Sequence, residues 1–167
     1  MREFLLLSHA DRDDLQSVCD YDLEEFDLRI FWRGKRFTGV IPGGVKLWVG
    51  DGQKSDYPGN PLSWPIMSND FYIAIERLVS QEVECFSAPL FHAGNKNPIT
   101  GYRVVNLLSA FDALDHPVNT IDDIVLNSSQ IPSHSHLFRL SEHRTLCFAS
   151  TELALSLKGR GLQGMEF

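Results

Sequence analysis

The stretch PIMSNDFYIAIERLVSQEVECF, Pro65 to Phe86, changes its period twice. PIM is apolar and extended in character, Phe71, Ile75, Leu78 and Val79 then recur at helical spacing, and VECF returns to strand character. Ser68 stands where an N-cap belongs, and Asp70 puts a negative charge in the first turn, at the positive end of the helix dipole. The reading is strand, serine cap, helix, strand. A second stretch, LCFASTELALSLKGRGLQGMEF (146–167), has the same order: Ser150 takes the place of Ser68, Glu152 that of Asp70, and Leu153 and Leu157 those of Phe71 and Ile75. Gly159 and Gly161 are suited to end that helix in the left-handed conformation, and Gly164 permits a close approach of backbone. MEF then reads as a final strand, with Met165 and Phe167 on one buried face and Glu166 on the other. One strand–helix–strand unit is thus expected twice.

Outward from these stretches the chain favours strands. FLLLS (4–8) and LRIFW (28–32) are short apolar runs, the second followed by a turn at RGK and the segment FTGVI. VIPGGVKLWVGDGQ reads as a hairpin about Pro42, Gly43 and Gly44, with Val45, Leu47 and Val49 alternating against Lys46 and Trp48. DGQKSDYPGNPLSWP (51–65) lacks periodicity and reads as a surface loop between an N-terminal layer and the rest. GYRVVNLLSAFDALD fits either element, and we read it as strand through Leu107. The fold class is α+β: a mostly antiparallel β-sheet with a few helices packed on it.

The 167 residues, 43% hydrophobic and 11% aromatic, are enough to bury one core, so one domain is expected over 1–167. No apolar run approaches the roughly 18 residues of a membrane span, and FLLLS is too short for a secretory h-region, so the expected compartment is the cytoplasm. Cys19, Cys85 and Cys147 form an odd set without CxxC spacing, which fits reduced, mostly buried thiols and neither a disulfide framework nor a zinc knuckle.

Charge is concentrated at one end. Glu3, Asp11, Asp13, Asp14, Asp20, Asp22, Glu24, Glu25 and Asp27 face only Arg2 and Arg12, so residues 1–27 carry the whole net charge of −7; the rest holds 13 basic and 13 acidic side chains. Nucleic acid would be repelled by this segment, and a basic protein would be steered to it. The same charge also serves solubility alone.

The segments 101–115, 124–140 and 147–167 resemble the C-terminal half of a family of small bacterial immunity proteins from polymorphic toxin systems, first catalogued as a domain of unknown function. The features that carry the likeness are Tyr102, Asn106, Asp112 and Asp115, the strand Phe138, Arg139, Leu140, the serine-capped helix at Ser150, and the closing Gly164 and Phe167. PIMSNDF resembles the family's earlier capped helix, so the likeness spans about residues 62–167. HPVNT stands where such proteins tend to carry a serine after the Asp pair, and residues 1–60 form a variable part. The resemblance implies a protein that binds and neutralises a cognate secreted toxin and is not an enzyme, with no cofactor.

On that reading the toxin-facing candidates are Asp20, Asp22, Glu24, Glu25 and Asp27, with Tyr57 and Trp64 as aromatic anchors on an exposed 51–65 loop. The alternatives are a small hydrolase and a ligand-binding module. For the first, Cys85 with His92, His116 or His134 is an imaginable nucleophile and base, and Asp112 with Asp115 an imaginable carboxylate pair, although VECF reads as core and the Asp pair as turn or cap. His134 and His136 share a strand face suited to a metal, but only His143 offers a third ligand, so no metal site is assigned. DYDLEE lacks the glycine and final glutamate of a calcium loop, and no GxSxG, HExxH, P-loop or dinucleotide fingerprint occurs.

Overall fold

The computed structural model describes residues 3–94 and 97–167. In chain order the strands and helices are β1 (Phe4–His9), β2 (Val18–Asp22), β3 (Lys46–Val49), β4 (Ile66–Ser68), α1 (Asn69–Val79), β5 (Val83–Ser87), β6 (Leu90–His92), β7 (Tyr102–Leu107), β8 (Ala110–Phe111), β9 (Leu137–Leu140), β10 (Cys147–Ser150), α2 (Thr151–Leu157) and β11 (Met165–Glu166). They form three sheets, ordered β11-β1-β10-β9-β8, β2-β3-β6 and β4-β7-β5, in which all pairings are antiparallel except β3 with β6 and β8 with β9. The fold is α+β and sheet-dominated. No helix among the described residues is long and apolar enough to cross a membrane.

The unit read twice in the sequence is present twice. β4, α1 and β5 enclose β7 between their two strands, and β10, α2 and β11 enclose β1 in the same way. The registers match: Ser68 opposes Tyr102 and Val83 opposes Leu107, while Ser150 opposes Phe4 and Met165 opposes His9. The step from Ser68 to Ser150 equals that from Val83 to Met165, so the units superpose in sequence without a gap. Both serines cap as expected: Ser68 Oγ accepts from Phe71 N–H at 3.1 Å and Ser150 Oγ from Leu153 N–H at 3.2 Å. The glycines that close the second unit, Gly159, Gly161 and Gly164, all have positive φ.

The two units are tied together reciprocally. Ser68 Oγ donates to Asp56 at 2.6 Å, and the other Asp56 oxygen accepts from Gln163 N–H at 2.9 Å, just before β11. Ser150 Oγ lies 2.9 Å from His136 Nδ1, and His136 N–H donates to Glu82 at 3.0 Å, just before β5. Each cap is therefore wired to the turn that closes the other unit. Between them α1 packs on α2, and Phe71, Ile75, Leu153 and Leu157 meet Leu7, Val105, Leu137 and Ala149 in one core. The opposite face of the five-stranded sheet, Leu6, Phe138, Leu140 and Phe148, is covered by residues 113–131, so β9 and β10 are buried on both faces. A third core joins β2, β3, β6 and β7 around Phe31 and Trp64.

Four sequence expectations change. LRIFW is not a strand but a 3₁₀ helix over Leu28–Trp32, because Asp27 Oδ1 accepts from Arg29 N–H at 3.0 Å and starts a helical turn. The Pro42 turn forms, with Val45 N–H on Pro42 O at 3.1 Å, yet no hairpin follows: β2 and β6 occupy both edges of β3 and leave none for residues 39–41. Val45, Leu47 and Val49 are nonetheless the buried side of β3. The 51–65 segment is irregular but not an exposed boundary. Its backbone groups find partners without a ladder: Asp56 N–H donates to Gln163 O, Val18 N–H to Gly59 O, and Trp64 N–H to the Asn60 side chain. Finally, β11 forms and partly buries Met165, but Phe167 is 41% exposed, since pairing stops at Glu166 and nothing holds the next residue to the sheet.

Candidate interaction surface

β2 is an edge strand, paired with β3 on one side only. It leads into the tight turn at residues 23–26, so the acidic side chains emerge on an edge and a loop tip. Asp20, Asp22, Glu24 and Glu25 are all exposed, and none of the four has a salt-bridge partner among the described residues. Asp20 Oδ1 accepts the Tyr21 N–H at 2.8 Å and Asp22 Oδ1 accepts the Glu24 N–H at 2.9 Å. Such local carboxylate bonds and an irregularity in register between Val18 and Asp20 blunt the edge against pairing with a random strand. Glu24 takes a positive φ of 51°, which lays its carboxylate over Gly44, a position where any Cβ would collide with it.

Asp27 differs from its four neighbours. It is half-buried, its carboxylate caps the Leu28–Trp32 helix, and it pairs with Arg29 and Arg33. The Arg29 backbone N–H, and then the Arg29 side chain, hold this carboxyl below the ordinary range. It is a structural group, occupied by its own chain.

The two aromatic candidates are not on the surface. Tyr57 is 8% exposed, stacks on Phe71 with ring centroids 5.6 Å apart, and has its phenol pushed up chiefly by burial. Trp64 is 1% exposed, donates its indole N–H to Leu28 O at 2.8 Å and sits edge-on to Phe31 at 5.0 Å. Tyr57 and Trp64 therefore anchor the loop inward, and neither serves as an aromatic anchor for a partner.

The groups considered for chemistry are dispersed. His136 is engaged with Ser150, His134 is exposed outside β9, and no cluster of three or more His, Cys, Asp or Glu side chains suited to a metal occurs among the described residues. Burial pushes the Cys85 thiol up, the direction opposite to that of an activated nucleophile. Cys147 is buried as expected, Cys85 is half-buried, and Cys19 is exposed, contrary to the general expectation for the thiols. Asp112 does not pair with Asp115: loss of solvent and a hydrogen bond that the Glu142 carboxyl donates to Asp112 push Glu142 up, while Asp115 faces His116 at 3.7 Å.

The residues that carry the family resemblance have mainly architectural roles. Tyr102 donates its hydroxyl to Ser55 O at 2.7 Å, Asn106 is buried and donates to Lys35 O at 2.9 Å, and the buried Arg139 donates to the carbonyls of Ser63 and Arg144. No protein-family model matches the chain, and no curated protein matches it.

One surface region was missed in the sequence. Glu3, Ile121, Asp122, Asp123 and Val125 are exposed together beside the five-stranded sheet. The signal was there: residues 104–138 contain four aspartates and no lysine or arginine.

Proposed function

We propose that this chain is an immunity protein that binds a cognate secreted bacterial toxin by direct protein–protein contact in the cytoplasm and neutralises it without catalysis. The reading is supported by the resemblance over residues 62–167 to immunity proteins of polymorphic toxin systems. The observation that carries it is the exposed carboxylate set Asp20, Asp22, Glu24 and Glu25, without ion-pair partners among the described residues, on an edge strand and its turn. Four unneutralised charges in one short segment attract a basic partner, and a toxin that acts on nucleic acid has such a surface. Asp27 supports the turn rather than the contact.

The test is stopped-flow association with the purified product of the adjacent reading frame. Raising salt from about 50 to 500 mM shortens the screening length from roughly 14 to 4 Å, so the on-rate falls by about tenfold or more while the off-rate changes less. The variant D20N/D22N/E24Q/E25Q reproduces that loss at low salt, with folding little changed because the charges are exposed. A wild-type on-rate in this variant would remove the acidic segment from the contact; no complex at all would sink the reading.

A further inference from the structure

Three clefts lie end to end along β1. The first, about 360 Å³, opens where residues 121–128 meet the sheet and is walled by Phe4, Leu6, Val125 and Phe148, with Glu3 at its mouth. The second, about 240 Å³, shares Leu6 and Ile121 with the first and runs to His9, Gly59 and Asn60. The third, about 310 Å³, shares those last three residues and ends at Ser17 and Val18, where β2 begins. Gly59 lets the 58–60 backbone pack closely on β1 at this shared wall, because a Cβ there would come within 2.6 Å of the His9 ring. The result is a row of three adjoining clefts with shared walls, a furrow along β1.

Its ends have the same sign. Glu3 lines the first cleft and the exposed Asp122 and Asp123 follow its lining residue Ile121 in the chain, while Asp20 and Asp22 lie two and four residues beyond Val18 at the last. Between them the first cleft is apolar, and its outer lip carries Ile121 and Val125 at 52% and 50% exposure, large aliphatic groups in contact with water. A nucleic acid strand or an anionic membrane is repelled by both ends. An apolar small molecule would leave the charges idle. A polypeptide segment with an aliphatic side chain and flanking lysines or arginines satisfies the whole length.

We infer that this furrow seats an extended, basic segment of the partner protein, with one aliphatic side chain held between Ile121, Val125 and β1. The inference rests on the toxin-binding reading above and adds to it a second contact region, remote in sequence from the acidic segment and joined to it by the cleft floor. The division of labour is kinetic: exposed carboxylates steer the encounter, and the apolar cleft sets the residence time.

Substitution I121A/V125A, at positions half in solvent, leaves the melting temperature nearly unchanged. It is expected to raise the dissociation rate from the purified product of the adjacent reading frame by about tenfold or more, with little change in association, and I121K/V125K does so more strongly through like charge. Methyl resonances of Ile121 and Val125 in the unaltered chain report the same contact without any substitution and are expected to shift on titration with that protein. Binding by the wild type with a dissociation rate within about twofold in I121K/V125K, or with unmoved methyl signals, would overturn the furrow and leave the toxin reading standing. Absence of binding by the wild type would overturn both.

Discussion

Replacing Gly164 with alanine tests the joint that closes the second unit. Gly164 has φ +88°, so an alanine there adopts the left-handed region, at about 1–2 kcal/mol. Its Cβ would also collide with Ser55 Oγ and come within 3.0 Å of Ser55 Cβ, and the Ser55 backbone is held: the residue is buried, its carbonyl takes the Tyr102 hydroxyl at 2.7 Å, and the next residue, Asp56, is bound to Gln163, so the hydroxyl must turn within a packed site. Overpacking at such a site adds about 1–3 kcal/mol, giving about 2–5 kcal/mol in total. Gly159 supplies the control, because its φ of +78° is similar while nothing lies within 4 Å of a Cβ built there. G159A should therefore cost only the backbone part, about 1–2 kcal/mol. S55A removes the colliding oxygen and leaves a Cβ at 3.0 Å, so the double variant S55A/G164A should recover most of the steric part, with a coupling of about 1 kcal/mol or more. Urea unfolding of the wild type and the four variants, followed by far-ultraviolet circular dichroism, gives each free energy. If G164A were no costlier than G159A, or if the two changes simply added, the packing of this glycine on Ser55 would be wrong.

Two further outcomes follow from the same network. S150A and S68A should each cost about 1 kcal/mol as a lost cap and more for the second bond each hydroxyl makes, to His136 Nδ1 at 2.9 Å and to the Asp56 carboxylate at 2.6 Å, for about 2 kcal/mol apiece; negligible effects in urea unfolding would contradict the assignment. Burial pushes the phenols of Tyr72 and Tyr102 up to about 12, whereas in the unfolded chain they ionise near 10. The share of stability carried by these two phenols should therefore be level below about pH 10 and be lost between about 10 and 12 as only the unfolded state releases those protons, and a denaturation midpoint that does not fall between about pH 10 and 12 would refute this.

What the sequence disclosed was governed by range. The caps were legible because Ser68 and Ser150 each act on an N–H three residues on, and the strand at Tyr102–Leu107 because its β-branched and aromatic residues announce it. Leu28–Trp32 misled because a helix wrapped by core on several sides shows no period, and only the Asp27 cap distinguishes it from a buried strand. The partner of β3 was invisible for another reason: a Gly-Gly turn specifies a reversal, not which strand will occupy the edge, and β2 arrives from far upstream. For the candidate interaction surface, the acidic set at Asp20–Glu25 was readable from charge alone. The inward orientation of Tyr57 and Trp64 was not, because loop composition does not reveal that Leu28 O and the Phe71 ring wait beneath it.

The place of β1 between β10 and β11 also dictates an order of events during synthesis. The first unit holds all its strands within residues 66–107 and can close as soon as these leave the ribosome. The second needs residues 4–9 and residues 147–166, so the earliest strand made must wait for the last. At roughly 5–20 residues per second that delay is on the order of 10–30 seconds, during which FLLLSH has neither of its neighbours. Half the molecule is thus assembled only once residues 147–166 have been made, and until then the nascent chain carries an unpaired apolar strand, a natural handle for a holding chaperone.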